Sequence, residues 1–339
     1  MTHRQRDRNL LAALVVGALT NAACTAETSA PRTSSAQALL RRAAELGPRA
    51  DSLRDIGAIP AAIDLIEEQL RVRRRLFPQR SPEVAESLIR LAKLKKQARQ
   101  PEEAMQDYRE ALSIYRETLD PDSPEELATR TGIANLHRLA RNQDSALVQF
   151  DQVLQTRRTR EAKALAAGDR ARAIEEGREI AELLFDIGVT LTPLGDWRRA
   201  EGPLREAVAR QRAAGTGERL QLARSLGSHG TALRHLGRAD TAVSELLESA
   251  RLFEQLRSET APGMERAMNL SLSSYDMLAA AQLECGEEVA AWQSLEKARA
   301  RTLLETMTAR AAIDTTDFKG IECPDDIHAL FTAHLKTGE

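Results

Sequence analysis

Aromatic side chains are scarce in this chain, 3% of 339 residues, and no segment alternates β-branched or aromatic residues with polar ones as a strand would. A β-sandwich, a barrel or an α/β sheet is thereby excluded. Cysteine is nearly absent too. Its three copies, Cys24, Cys285 and Cys323, show no metal-ligand spacing. Cys285 and Cys323 either pair in an oxidising compartment or remain a small core residue and a loop thiol. No apolar run approaches the ~18 residues that a membrane-spanning helix needs. There is no Gly-rich phosphate loop, no G-x-S-x-G, no H-E-x-x-H and no Cys-x-x-Cys. Cys323, His328 and His334 are close in sequence, but histidines six apart on one helix point to different faces. The carboxylates are scattered, with no isolated pair in an apolar setting. No catalytic residue, cofactor or metal is expected. The formal charge of −2 gives no electrostatic reason to bind nucleic acid, and the basic residues are nearly all Arg.

What the chain has instead is a period. Ser-Pro-Glu at 81–83 returns at 123–125, 42 residues later, each copy with Ser at a helix N-cap and Pro at the first helical position. Ala62, Ala104 and Ala146 keep that interval, as do Ala200 and Ala242. Twelve residues before each of these stands a small residue: Ala50, Ala92, Ala134, Gly188 and Gly230. Four residues after stands a large one: Ile66, Tyr108, Phe150, Leu204 and Leu246. Ala279, Ala291 and Leu295 continue the pattern in a looser sixth unit. Seven residues after comes another small residue, Ala111, Ala207, Ser249 or Ala298, with Gln69 and Val153 as exceptions. Small residues on both helices of a pair let them approach closely, and the large one fills the gap to the next pair. The expected fold is all-α, a right-handed solenoid of about five to six helix pairs over residues 35–310.

Three irregularities interrupt the period. Gly47-Pro48 is expected to break the first leading helix. Between Ala146 and Ala200 the interval is twelve residues too long, and the excess falls in 156–179, read as a lengthened helix and loop on the solvent side. Arg157, Arg158 and Arg160 there form a weak alternative basic patch. The step from Ala242 to Ala291 is also long, 49 residues.

QPEEAMQDYREAL (100–112), LDPDSPEELA (119–128), LGDWRRAEGPLREAV (194–208) and LGRADTAVSELLESA (236–250) resemble the tetratricopeptide repeat, in the 42-residue form of kinesin light chains and many bacterial proteins. Lys95 and His137 depart from it, at a position usually bulky and apolar, and Pro193 shortens the first helix of the fourth unit. AAWQSLEKARARTLLETM (290–307) resembles the last repeat before a caspase-like CHAT module, but only 32 residues follow Met307. The resemblance implies a protein or peptide partner bound on a concave face lined by the first helix of each pair. The register puts Lys93, Lys96, Asn135, Arg138, Thr192, Arg224, Thr231, Arg234 and His235 there, a set suited to an acidic or C-terminal peptide segment. The family's carboxylate clamp needs Lys and Asn in consecutive units, which only Asn135 and its neighbours approach. His229 is read as a satisfied, partly buried core histidine, and His137 as a groove or surface residue. The alternative function is the regulatory array of a caspase-like protease system.

The N-terminus is expected to direct export. Arg4, Arg6 and Arg8 precede a ten-residue apolar run, Leu10 to Leu19. Thr-Asn-Ala-Ala-Cys then resembles a bacterial lipoprotein processing site, with Cys24 the lipidated residue, though Asn21 stands where Leu is usual. A plain secretory cut near Ala23 or Ala26 is the other reading. Residues 1–23 are the signal, 24–34 a flexible tether, and 311–339 a tail whose segment 324–335 is an amphipathic capping helix. The localisation expected is the cell envelope, with membrane contact only through Cys24.

Overall fold

A computed structural model describes residues 30–215, 218–259 and 274–311. Among them are twelve α-helices and no strand. In chain order they are α1 (Ala30–Asp55), α2 (Ile59–Leu76), α3 (Pro82–Gln97), α4 (Pro101–Thr118), α5 (Pro124–Leu139) and α6 (Gln143–Ala166). The remainder are α7 (Arg170–Leu191), α8 (Trp197–Ala214), α9 (Arg219–His235), α10 (Ala239–Glu259), α11 (Tyr275–Glu284) and α12 (Glu288–Ala311). Each helix packs on its chain neighbours, so the structure is a row of six pairs. The odd-numbered helices from α3 to α11 also touch one another in sequence. They therefore lie on the inside of the curve, and the even-numbered ones outside. Residues 1–23, expected to be a signal, Cys24, residues 260–273 of the step between Ala242 and Ala291, segment 324–335, Cys323, His328 and His334 lie outside the described residues.

The helix boundaries follow the expected chemistry. Ser81 Oγ accepts the Val84 N–H at 3.4 Å and Ser123 Oγ the Glu126 N–H at 3.2 Å, each just before a first-turn proline. Asn142, Asp169 and Asp196 cap α6, α7 and α8 in the same way. Five residues before each key alanine the backbone turns left-handed: Gly57, Arg99, Arg141, Gly195, Gly237 and Gly286 have φ between 58° and 80°. This turn closes every pair.

The alanine register is the core. Ala62, Ala104, Ala146, Ala200 and Ala242 are fully buried, and Ala291 is 1% exposed. The small residue twelve before meets the large one four after. A methyl added at Gly188 would lie 2.4 Å from Leu204 Cγ, and one at Gly230 2.7 Å from Leu246 Cγ. Tyr108 reaches the next pair, where a methyl at Gly132 would lie 2.6 Å from its ring. Leu295 is only half-buried.

Three expectations need correction. The helix begins at Ala30, inside the supposed tether 24–34, and Pro31 falls in its first turn, where no intrahelical N–H bond is lost. Gly47-Pro48 does not break α1, which runs straight through it. A residue before proline is driven from helical geometry by its own Cβ, and Gly47 has none. Gly202-Pro203 continues in α8 by the same logic. Carbonyls near Pro48 take side-chain donors instead: Gln69 Nε2 donates to the Ala43 carbonyl at 2.7 Å and Arg90 Nη2 to that of Gly47 at 3.0 Å. Gln69, an exception to the small-residue rule, is thus explained. Ser249, in the same register, donates to the corresponding carbonyl, that of Ala223, at 2.7 Å.

The third correction concerns the twelve extra residues, which are not simply solvated. They divide evenly: α6 has 24 residues where α4 has 18, and α7 has 22 where α5 has 16. Between them lies a buried ion network. Arg157, 4% exposed, reaches Glu176 at 3.0 Å and Glu179 at 2.8 Å, and Arg160 reaches Glu176 at 2.5 Å. Arg158 pairs with Glu206 at 2.6 Å. The three arginines are internal struts rather than a docking patch. Lys95, at the register's apolar position, is likewise held by Asp107 at 2.7 Å.

The Gly188–Leu204 contact is open to a double-mutant cycle. Gly188→Ala is expected to cost ~1–3 kcal/mol by overpacking, and Leu204→Ala ~2–5 kcal/mol by leaving a cavity. Their combination should cost less than the sum, since the new methyl enters the vacated space. Strict additivity in urea unfolding would show that the two residues do not meet.

Candidate functional site

The first helices present their inner faces to the concave side, and the charges there do not cancel locally. Lys93 and Lys96 on α3, Arg138 on α5 and Arg224 on α9 share this face with Asp186 on α7, and Asp186 and the other three cations all act on the charge of Lys96. Among the described residues none of these four cations has a carboxylate within salt-bridge distance. Asp186 instead accepts from Asn135 Nδ2 at 2.8 Å, and Asn135 Oδ1 accepts from Arg138 Nη2 at 2.9 Å. Arg224 Cζ lies over Phe185, 4.8 Å from the ring centre. Many arginines outside this cluster behave differently: Arg74, Arg80 and Arg212, for example, each bridge to a glutamate on a neighbouring second helix.

Burial leads the shifts of two titrating groups on this face. Burial first, then the neighbouring Arg138, Lys93 and Arg224, push the Lys96 ammonium below its ordinary value, against the pull of Asp186. Glu182 on α7 goes the other way. Desolvation raises its carboxyl, and Glu179, Asp186 and Glu218 add to the effect while Arg224 opposes it.

Of the residues expected from sequence, the structure gathers Lys93, Lys96, Asn135, Arg138 and Arg224 into one cluster. The other four are apart from it or already engaged. Thr192 Oγ1 donates to the Val189 carbonyl at 3.1 Å in the short 3-10 turn Thr192–Leu194, which ends α7 early beside Pro193. Thr231 Oγ1 donates to the Gly227 carbonyl at 2.7 Å. Arg234 is paired with Glu284 at 2.9 Å. His235 stacks on Trp197 with ring centres 4.0 Å apart, and its pKa is lowered by desolvation and then by Arg234. His229 is more deeply buried than expected, 4% exposed, with Nδ1 2.6 Å from Glu245 Oε2 and Nε2 without a hydrogen bond. Cys285 is a free thiol whose Sγ contacts Asp240 Oδ1 at 3.4 Å.

Sequence reasoning missed Glu182, Phe185 and Asp186. The signal was available, because Glu182 stands eighteen residues before Ala200, as Arg224 does before Ala242. Among the described residues no group of three or more His, Cys, Asp or Glu is placed to hold a metal ion, and no helix is long and apolar enough to cross a membrane.

Residues 84–159 match the family model of the tetratricopeptide repeat. Three solved structures share the fold. BtubC (BKLC) from P. vanneervenii is 18% identical with a TM-score of 0.52, over 75% of this chain and 91% of that one. Aspartyl phosphate phosphatase F from Bacillus subtilis is 14% identical with a TM-score of 0.54, over 80% and 73%. A Rap protein complexed with competence and sporulation factor is 15% identical with a TM-score of 0.50, over 77% and 75%. At such identities the likeness establishes the tetratricopeptide-type solenoid and nothing finer. No curated protein sequence matches the chain. A solenoid of this type is consistent with a scaffold for protein–protein interaction.

The raised Glu182 carboxyl fixes a sign. A carboxyl that titrates higher in the folded state contributes stability while protonated, and that contribution is lost as pH rises through the folded value. Glu182→Gln, neutral throughout, is expected to raise Tm at pH 7, and the gain should vanish below about pH 4, where both forms are uncharged. Equal Tm values at pH 7 would contradict the assignment.

Proposed function

We propose that this tetratricopeptide-type solenoid is a non-enzymatic adaptor of the bacterial cell envelope that binds an acidic, extended peptide segment of a partner protein in its concave groove. The observation that carries the reading is the set of four groove cations without carboxylate partners, in a protein whose other arginines are widely paired. Holding Lys96 half-buried beside three like charges weakens the fold, and an anionic ligand offsets that cost. Asn135 adds an amide beside Arg138, so carboxylate oxygens would meet both charge and directed donors. Phe185, under Arg224, offers an apolar contact for a side chain of the same segment. A solved protein of this fold is in complex with a factor, which supports a ligand-holding role for the architecture.

The test uses a fluorescein-labelled peptide of alternating Asp and Glu with a free C-terminal carboxylate. Lys96→Glu and Arg138→Glu are each expected to weaken binding at least ~10-fold. Arg251→Glu, an exposed charge on α10, should leave it nearly unchanged. Equal losses in all three variants would reduce the interaction to net charge and sink the groove reading.

The location belongs to the same proposal and rests on the Arg-rich start, the apolar run and Cys24. Intact mass of the protein extracted from its native envelope is expected to equal residues 24–339 plus a diacylglyceryl and an acyl group. The same span without lipid would leave an exported adaptor and remove the anchor. Retention of residues 1–23 would remove export as well.

A further inference from the structure

The six-residue extensions of α6 and α7 outrun α8, which keeps the ordinary 18 residues and ends at Ala214. Beside the last turn of α8 lies a cavity of about 390 Å³. Leu165 of α6 and Ile174 of α7 line it, and each is 62% exposed. Ala173, Gly177, Ala181 and Ala213 complete an apolar wall of small residues. Two large apolar side chains thus border a space within the size range of small-molecule sites, and no described residue covers them.

The rim carries charge of both signs, and most of it is answered locally. Arg210 lies between Glu161 at 2.8 Å and Glu206 at 2.9 Å, and Glu206 also takes Arg158 at 2.6 Å, so this chain of charges is neutral. Gly177 makes room for it, since a methyl there would lie 3.1 Å from Glu161 Oε1. Arg178 holds both Glu218 at 2.8 Å and Glu175 at 3.0 Å. Arg170 is the exception. It is exposed, it lines the cavity, and among the described residues no carboxylate lies within salt-bridge distance of it. It stands in the first turn of α7, which holds no acidic residue, and the capping Asp169 carboxylate accepts the Arg172 N–H at 3.1 Å instead. The positive end of the α7 dipole adds to the field of Arg170.

We infer that this cavity, which shares no residue with the concave groove, is a second binding site, for a small monocarboxylic acid with an apolar body. The body covers Leu165 and Ile174, and the carboxylate pairs with the Arg170 guanidinium, whose planar fork suits two oxygens. A cationic ligand would find Glu161, Glu175, Glu206 and Glu218 already held by arginines. A neutral one would leave Arg170 unanswered.

Cinnamate and cinnamamide test this directly, being alike in shape and apolar area but differing in charge. Titrated into the 15N-labelled protein, cinnamate is expected to give saturable shifts centred on Gly177, Ala181, Ala213 and Ala214. Cinnamamide should bind about tenfold more weakly, the worth of one charge-assisted contact. Arg170→Gln is expected to bring the acid down to the level of the amide, and Arg170→Lys to keep part of the difference. Ala214→Trp, on an exposed position that lines the cavity, should exclude both, with backbone shifts elsewhere showing an intact fold. Lys96→Glu, in the groove, should change neither affinity, which separates this site from the peptide reading. Shifts that do not saturate, that move to the groove, or that survive Ala214→Trp would overturn the site. Equal affinity for acid and amide, or a preference that persists in Arg170→Gln, would overturn the role of Arg170.

Discussion

The contact between a small residue on the first helix of a pair and a large one on the second sets every other distance in this protein. Gly188 under Leu204 and Gly230 under Leu246 bring backbones together as closely as side chains permit. Once that spacing is fixed, the buried alanines follow, because nothing larger fits between the helices. The left-handed turn five residues earlier follows as well, since it must reverse the chain within a few residues to return at that spacing. Pairs built alike stack alike, and the row of first helices becomes a continuous inner wall. The groove is thus a consequence of packing before it is a site.

That packing explains why so much of the architecture could be read from sequence. Steric demands recur at fixed intervals, and Ala62, Ala104, Ala146, Ala200 and Ala242 record them one residue at a time. What could not be read depended on contacts without a period. Gly47-Pro48 looks like a break until Gln69 and Arg90, from two other helices, are seen to take over the neighbouring carbonyls. Arg157 looks like a surface charge until Glu176 comes opposite it, nineteen residues later on the next helix. The groove lies between these cases. Its cations on α3, α5 and α9 were legible by register, and the same register reaches Glu182, eighteen residues before Ala200, although the insertion lengthens the interval around it.

Two electrostatic regimes therefore share one pair of helices. The insertion spends its charge internally, with Arg157, Arg160, Glu176 and Glu179 closed into a network that helps hold α6 to α7. The inner face of α7, one turn beyond, carries Glu182 and Asp186 among cations of three other helices without closing any ion pair of its own. A network with its partners in place favours one arrangement of the helices. A set of charges lacking them leaves room for a ligand to complete it.

The depth of the Arg157 network has a consequence for how a bound segment could be let go. Dissolved salt attenuates attraction between charges that water surrounds, with a screening length of about 8 Å at physiological strength, and scarcely reaches pairs enclosed by protein. Groove and strut would thus respond unequally to a change in the surrounding medium. A rise in ionic strength would release an anionic partner from Lys93, Lys96, Arg138 and Arg224 while the fourth pair kept its shape, so that capture and release could be cycled by the environment alone without unfolding any part of the array.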